Sequence, residues 1–293
     1  MGNNIQLSKN YVPLLDEVYQ KASTTEEFNA DSSTVKQGAN ASEILVAKLD
    51  MDGLKDYSRN DGYVKGNINL KWETLKFNYD RGIKFTVDEM DNEETIELSF
   101  GKLGAEFERR KVAPEGDAFF YAQLAGTEGI SKVEKGITYT TGEEVLSALR
   151  AAQSKMDEDE VPAENRHLRI TPTLLRMAQS VKTYEDKGVL DEFASIKKVP
   201  QSRFYTAIDL LSGSEKGNEL EGGYKKNETT GKDINFMIIE KTAVIKYDKH
   251  KANDIIRPED NQESDGYMQK YRKYGIVDTY ENKTAGIYLS YKA

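Results

Sequence analysis

The spacing of apolar residues changes several times along this chain, and each change marks an element. Over Lys9–Ala22, Tyr11, Leu14, Leu15, Val18 and Tyr19 recur at three-and-four spacing behind Ser8, a residue suited to cap a helix. That pattern predicts an opening helix. Ser23–Asn40 then has few apolar residues and no period, and reads as an extended or mobile arm. Asp50-Met-Asp-Gly53 and Asn60-Asp-Gly62 are turn chemistry, because glycine accepts positive φ and Asp or Asn bonds back to the local backbone.

The period then shortens to two. Ile68, Leu70 and Trp72 alternate with polar residues, as do Leu75, Phe77 and Tyr79, and then Ile83, Phe85 and Val87. Asp80-Arg-Gly82 has the composition of a tight turn, so a hairpin is predicted around it. A two-stranded hairpin is only marginally stable alone, so its apolar face needs another layer, from this chain or from a neighbour.

After Asp91 the spacing becomes helical through Ile96, Phe100, Leu103 and Phe107, with Glu93, Glu94 and Glu97 near the start and Arg109, Arg110 and Lys111 near the end. Pro114 should kink or restart that helix before Phe119, Phe120 and Leu124 carry an apolar face toward Gly126. Thr141-Gly-Glu-Glu144 is a capping box that opens a helix running to about Met156. Strands are predicted at His167–Thr171, Asn235–Glu240 and Thr242–Tyr247, and a short helix between Thr173 and Val181. Helices and strands mix without a βαβ repeat, which makes the fold class α+β.

Composition narrows the function. The 293 residues leave room for one large domain or two ordinary ones. Fifty acidic residues against 41 basic give a net charge of −9, so the chain repels phosphate backbones on average and is not a general nucleic-acid binder. Charge is also unevenly placed: Ser58–Asp88 carries six basic residues against four acidic, whereas Asp88–Lys135 carries twelve acidic against six basic. Surfaces of opposite sign on one chain favour contact between copies. There is no cysteine, which removes disulfides, thiolate nucleophiles and cysteine metal sites together. No apolar run approaches the roughly 20 residues of a membrane helix. The start, MGNNIQLSKN, lacks a signal-peptide pattern and a myristoylation motif, since Gln6 stands where Ser or Thr is needed. These features read as a soluble intracellular protein.

Catalytic chemistry finds little support in the residues. The two histidines, His167 and His250, have no zinc-type spacing and no nucleophile elbow nearby, and His167 is expected at a strand edge. Phosphate-loop glycine patterns are missing. Asp50, Asp52 and Asp56 lack the ligand-rich calcium loop closed by a Glu. Asp157-Glu-Asp-Glu160 reads as a solvated loop, because burying four acids together would force protonation or a metal. No cofactor, metal or catalytic residue is expected.

Several segments, in order, resemble the major capsid proteins of tailed bacteriophages and prophages. They are Trp72–Thr95, Val112–Gly126, Val161–Pro172, Val199–Gly213, Asn235–Ile245 and Ala285–Ala293, collinear from about Tyr57 to the end. The resemblance implies the Hong Kong ninety-seven type capsid fold, with an N-terminal arm at 1–56 and an extended β-hairpin loop at 57–87. A peripheral domain with a long spine helix, starting near Asn92, would occupy 88–136. An axial domain would follow at 137–240, and the chain would return to the peripheral domain through 241–293. Tyr267, Tyr271 and Tyr274 have helical spacing, but the resemblance favours a strand there.

The function so implied is a coat protein, not an enzyme, that self-assembles as hexamers and pentamers into an icosahedral head shell around packaged double-stranded DNA. The DNA would be enclosed without sequence-specific binding. The resemblance further implies a portal protein and allows a decoration protein. A separate scaffolding protein is expected, because Met1–Asp56 leaves no space for a built-in scaffolding segment unless the chain is already processed. The protein would reside in the virion capsid, and in host cytoplasm during assembly, with no membrane partner. Lys71, Trp72, Phe77, Tyr79, Arg81 and Phe85 are the candidate subunit contacts. Two alternatives remain: an encapsulin-like compartment shell of the same fold, and a carboxylate-dependent hydrolase needing two acids converging in a cleft.

Overall fold

A computed structural model describes residues 23–30, 36–37, 43–60, 62–88, 104, 106–133, 135–181, 184–214 and 221–293. The predicted opening helix at Lys9–Ala22 lies outside these residues, as do Ile96, Phe100 and Leu103 of the predicted spine helix.

The centre is a mixed five-stranded sheet, ordered β5 (Ser131–Lys132), β13 (Ile287–Tyr291), β10 (Ile234–Glu240), β6 (Arg166–Ile170), β7 (Ser195–Lys198). β10 runs antiparallel to both neighbours, whereas β6–β7 and β13–β5 are parallel pairs. Every residue of β10 and β6 is buried. Successive strand residues face opposite ways. Phe236 and Ile238 therefore enter one core, and Met237 and Ile239 another. The first of these cores is closed by α2 (Gly142–Glu158) and α3 (Pro172–Ser180), and the second by α1 (Ala113–Gly126). A further helix, α4 (Tyr184–Asp191), leads into β7.

Local signals were followed closely in these parts. The Thr141 hydroxyl accepts from the Glu144 amide, and the Glu144 side chain bonds back to the cap, so the capping box forms and α2 begins at Gly142. Pro114 marks a restart of the helix, one of the two outcomes expected of it. It sits in the first turn of α1, directly after a π-type turn at Glu108–Val112, where the Ala113 amide bonds to the Glu108 carbonyl. The wider turn accommodates a residue that has no N–H to donate.

A second sheet is long and antiparallel, ordered β11 (Val244–Ile256), β12 (Gly266–Thr279), β4 (Tyr79–Asp88). Tyr267, Tyr271 and Tyr274 lie in β12, the strand that the resemblance favoured. Tyr271 packs on Phe107, Val112 and Ala113. β11 extends well past the predicted end at Tyr247. A small pair, β8 (Ile208–Leu210) with β9 (Tyr224–Lys226), completes this side.

The predicted hairpin around Asp80-Arg-Gly82 does not form. Asp80, Arg81 and Gly82 lie inside β4, paired with Tyr274, Lys273 and Arg272. Gly82 serves close approach, since a Cβ there would stand 3.0 Å from the Tyr271 carbonyl oxygen. Instead β3 (Ile68–Lys76) pairs with β2 (Glu43–Met51), which also pairs with β1 (Lys36–Gln37). Two further expectations are corrected. His167 is on β6, flanked on both sides, so it is not at a sheet edge. Ser23–Ala30 is no mobile arm, because Ser23, Thr25 and Phe28 are buried.

Candidate subunit-contact surface

The β2–β3 ribbon is organised by its register. Leu45, Leu49 and Met51 lie opposite Thr74, Leu70 and Ile68, and with Trp72 they share one face. Ile44, Val46 and Leu75 take the other face at the ribbon's base, where they pack with Phe77, Ile245, Tyr247, Ile276 and Tyr280 of the main body. Farther out, that second face turns polar with Asp50, Asn69 and Lys71. The ribbon is thus pinned at its base and presents an apolar face beyond it.

The loop at its end is ordered by Asp52. Its carboxylate accepts from Lys55 Nζ at 2.9 Å and from the Asn67 amide at 3.1 Å, and Lys55 also donates to the Lys65 carbonyl. The Lys55 hydrogen bond, then the Asn67 amide, holds the Asp52 carboxyl below its usual range. A tight Ser58–Gly62 bridge follows, and the Tyr57 and Tyr63 rings pair at 4.9 Å. Among the described residues eleven large apolar side chains are exposed, and nine of them lie in 49–72: Leu49, Met51, Leu54, Tyr57, Tyr63, Val64, Ile68, Leu70 and Trp72. Tyr63 is 91% exposed and Ile68 75%. Isolated exposed apolars are ordinary, whereas a contiguous set marks a surface that another molecule covers.

The six candidate contacts separate into two groups. Lys71 and Trp72 stand exposed on the ribbon. Phe77, Tyr79, Arg81 and Phe85 turn into the subunit itself. Phe77 meets Tyr274 in a tilted contact at 4.7 Å, and Phe85 meets Phe107 edge-on at 4.9 Å. Tyr79 is buried against Phe119 and donates to Glu115 Oε1 at 3.1 Å. Arg81 Nε donates to the same oxygen at 2.7 Å, and its Nη2 to the Gly223 carbonyl at 3.2 Å. Sequence reasoning missed β2 and the loop residues Leu54, Tyr57, Tyr63 and Val64. The signal for β2 was the apolar run Ile44–Ala47 continued by Leu49 and Met51.

The residues offer little for catalysis. Among the described residues no group of three or more His, Asp or Glu is placed to hold a metal. A cleft between β4 and the π-type turn is lined by three acids, Glu106, Glu115 and the exposed Glu221. Glu106 is ion-paired with Arg109 and Arg110, and Glu115 with Arg81. Acids neutralised in this way are poor general bases for a polymer hydrolase. Asp157 forms an ion pair at 2.7 Å with the buried Arg166, and Asp159 pairs with Lys155.

No family model and no curated protein matches the sequence. Solved structures do. The capsid structure of cyanophage P-SCSP1u aligns with a TM-score of 0.57 at 15% identity, covering 93% of this chain and 88% of that one. The mature capsid of bacteriophage PhiM1 aligns at 0.57 and 8% identity, over 86% and 82% of the two chains. A virus-like particle from Pyrococcus furiosus aligns at 0.57 and 12% identity, over 96% and 98%. Similarity this complete at such low identity reports architecture: the chain has the α+β capsid-protein fold of tailed phages, the Hong Kong ninety-seven type.

Proposed function

We propose that this chain is a major capsid protein whose copies assemble, as hexamers and pentamers, into an icosahedral shell around double-stranded DNA. The observation that carries the reading is the apolar face and loop of the β2–β3 ribbon, exposed among the described residues, on a fold that forms phage capsids. A neighbouring subunit would supply the missing layer, and Lys71 and Trp72 would lie in that contact. In this reading the extended loop is the ribbon Glu43–Lys76 rather than 57–87, with β4 joining the peripheral part. The arm then ends before Glu43 and the peripheral part begins with β4, while the later boundaries stay: axial at 137–240, peripheral return at 241–293. A separate scaffolding protein, a portal and, where present, a decoration protein belong to the same reading, as does residence in the virion after assembly in host cytoplasm.

A compartment shell enclosing protein cargo is the second reading, favoured by the near-complete match to the Pyrococcus furiosus particle. Electron microscopy of the purified full-length chain, with and without a co-expressed scaffold, tests the proposal. Shells, tubes or rings are expected, with nuclease-protected DNA inside particles recovered from a producing host. Compact monomers across a wide range of concentration and salt would overturn it, and shells filled with a cargo protein would favour the second reading.

A further inference from the structure

The eight residues Ser23–Ala30 touch α1, the β6–β7 edge of the central sheet and β11. At one end the Asp117 carboxylate of α1, fully buried, accepts from Ser23 Oγ at 2.9 Å, the Thr24 amide at 3.0 Å, Thr24 Oγ1 at 2.9 Å and Thr25 Oγ1 at 2.9 Å. Arg203 completes the cage at 3.2 Å. In the middle Glu27 is ion-paired with the fully buried Arg169 of β6. Glu27 also accepts from Ser195 Oγ at 2.9 Å and lies 3.4 Å from Lys197 Nζ, both on β7. Phe28 fills the gap between the two sides, stacked on Phe120 of α1 at 5.2 Å and edge-on to His167 at 5.3 Å. The Arg169 guanidinium covers its ring. At the far end the Ala30 amide donates to the Lys246 carbonyl of β11, and Lys246 Nζ donates back to the Thr25 carbonyl and hydroxyl.

The anchoring is reciprocal, although the segment meets Asp117 with neutral donors and the cation there is Arg203. The body supplies a buried acid to the segment at Asp117, and the segment supplies an acid to a buried base at Arg169. Lifting it would leave Arg169 without its paired carboxylate and strip Asp117 of four donors. Unpaired buried charge is strongly unfavourable, so half-lifted states are avoided and seating is close to all-or-none.

We propose that Ser23–Ala30 is a clasp that fixes the angle between the α1–β11 side and the β6–β7 edge, and thereby sets the curvature of the shell. The proposal rests on the shell reading, because an angular change within one subunit is repeated in every copy and becomes a change of particle diameter.

The test uses the full-length chain carrying Glu27→Gln, with Thr25→Ala as a milder second variant should the first fail to fold. Two measurements are made: amide hydrogen exchange at Ser23–Phe28, and the diameter distribution of assembled particles by electron microscopy. Exchange in the segment should rise by about tenfold or more, and particles should become heterogeneous or shift in diameter. Faster exchange with wild-type diameters would overturn the link to curvature, and unchanged exchange would overturn the clasp. If the wild-type chain builds no particles, the shell reading and the curvature claim fall together, while the exchange measurement still decides whether the clasp exists.

Discussion

Strand β10 and the β2–β3 ribbon are both rich in large apolar side chains, yet they meet opposite fates. All seven residues of β10 are buried, because helices close both faces of its sheet. On the ribbon the base reaches the body through Ile44, Val46 and Leu75, whereas Leu49, Met51, Ile68, Leu70 and Trp72 stay exposed. Hydrophobic content does not decide burial by itself; the number of layers available does. A two-stranded ribbon has no second layer of its own, so its apolar face reads as half of a contact.

Substitutions can break this comparison. Phe236→Ala removes a ring that packs between Tyr139 and Tyr288, and should destabilise the isolated subunit by about 3–5 kcal/mol in urea unfolding. A loss below about 1 kcal/mol would mean that the sheet core collapses around the gap.

A smaller effect depends on pH. Burial chiefly, aided by Lys241 and Lys197 and opposed by Glu240, holds His167 below its ordinary range. The unfolded chain then takes up the proton first as pH falls, so stability is lost through the ordinary histidine range. His167→Gln should flatten the fall in thermal midpoint between about pH 7 and about pH 5, where free histidine titrates. An unchanged slope would assign that fall to carboxylates.

The smallest expected change in subunit stability sharpens the contrast most. Ile68→Ser together with Leu70→Ser should leave the unfolding free energy unchanged to within about 0.5 kcal/mol, because exposed positions lose little on substitution. The same double variant should fail to form particles. Destabilisation comparable to Phe236→Ala would show that the ribbon face is covered within the single chain.

The same contrast explains what the sequence disclosed. Elements specified by near neighbours were legible: the Thr141 capping box, the α3 helix before Val181, and the apolar run that became β10. Strand partners were not. Asp80-Arg-Gly82 has the composition of a turn, but Gly82 is needed for contact with β12, whose residues lie far along the chain. The true ribbon closes through a longer loop that Asp52, Lys55 and Asn67 tie together, so the turn chemistry at Asp52-Gly53 and Asp61-Gly62 marked bends without naming the strands they join. Ser23–Thr25 looked unstructured because their acceptor, Asp117, is more than ninety residues away. Part of the candidate contact surface was legible as Lys71 and Trp72, while its β2 half was overlooked although Ile44–Ala47, Leu49 and Met51 carried a strand signal.

The alternation within β10 also governs how the molecule comes apart. Phe236 and Ile238 form a wall of the core under α2 and α3, and Met237 and Ile239 form a wall of the core under α1. Adjacent residues of one strand cannot detach separately, so neither core can melt while the other survives. A chain long enough for two independent modules should therefore lose its structure in one cooperative transition.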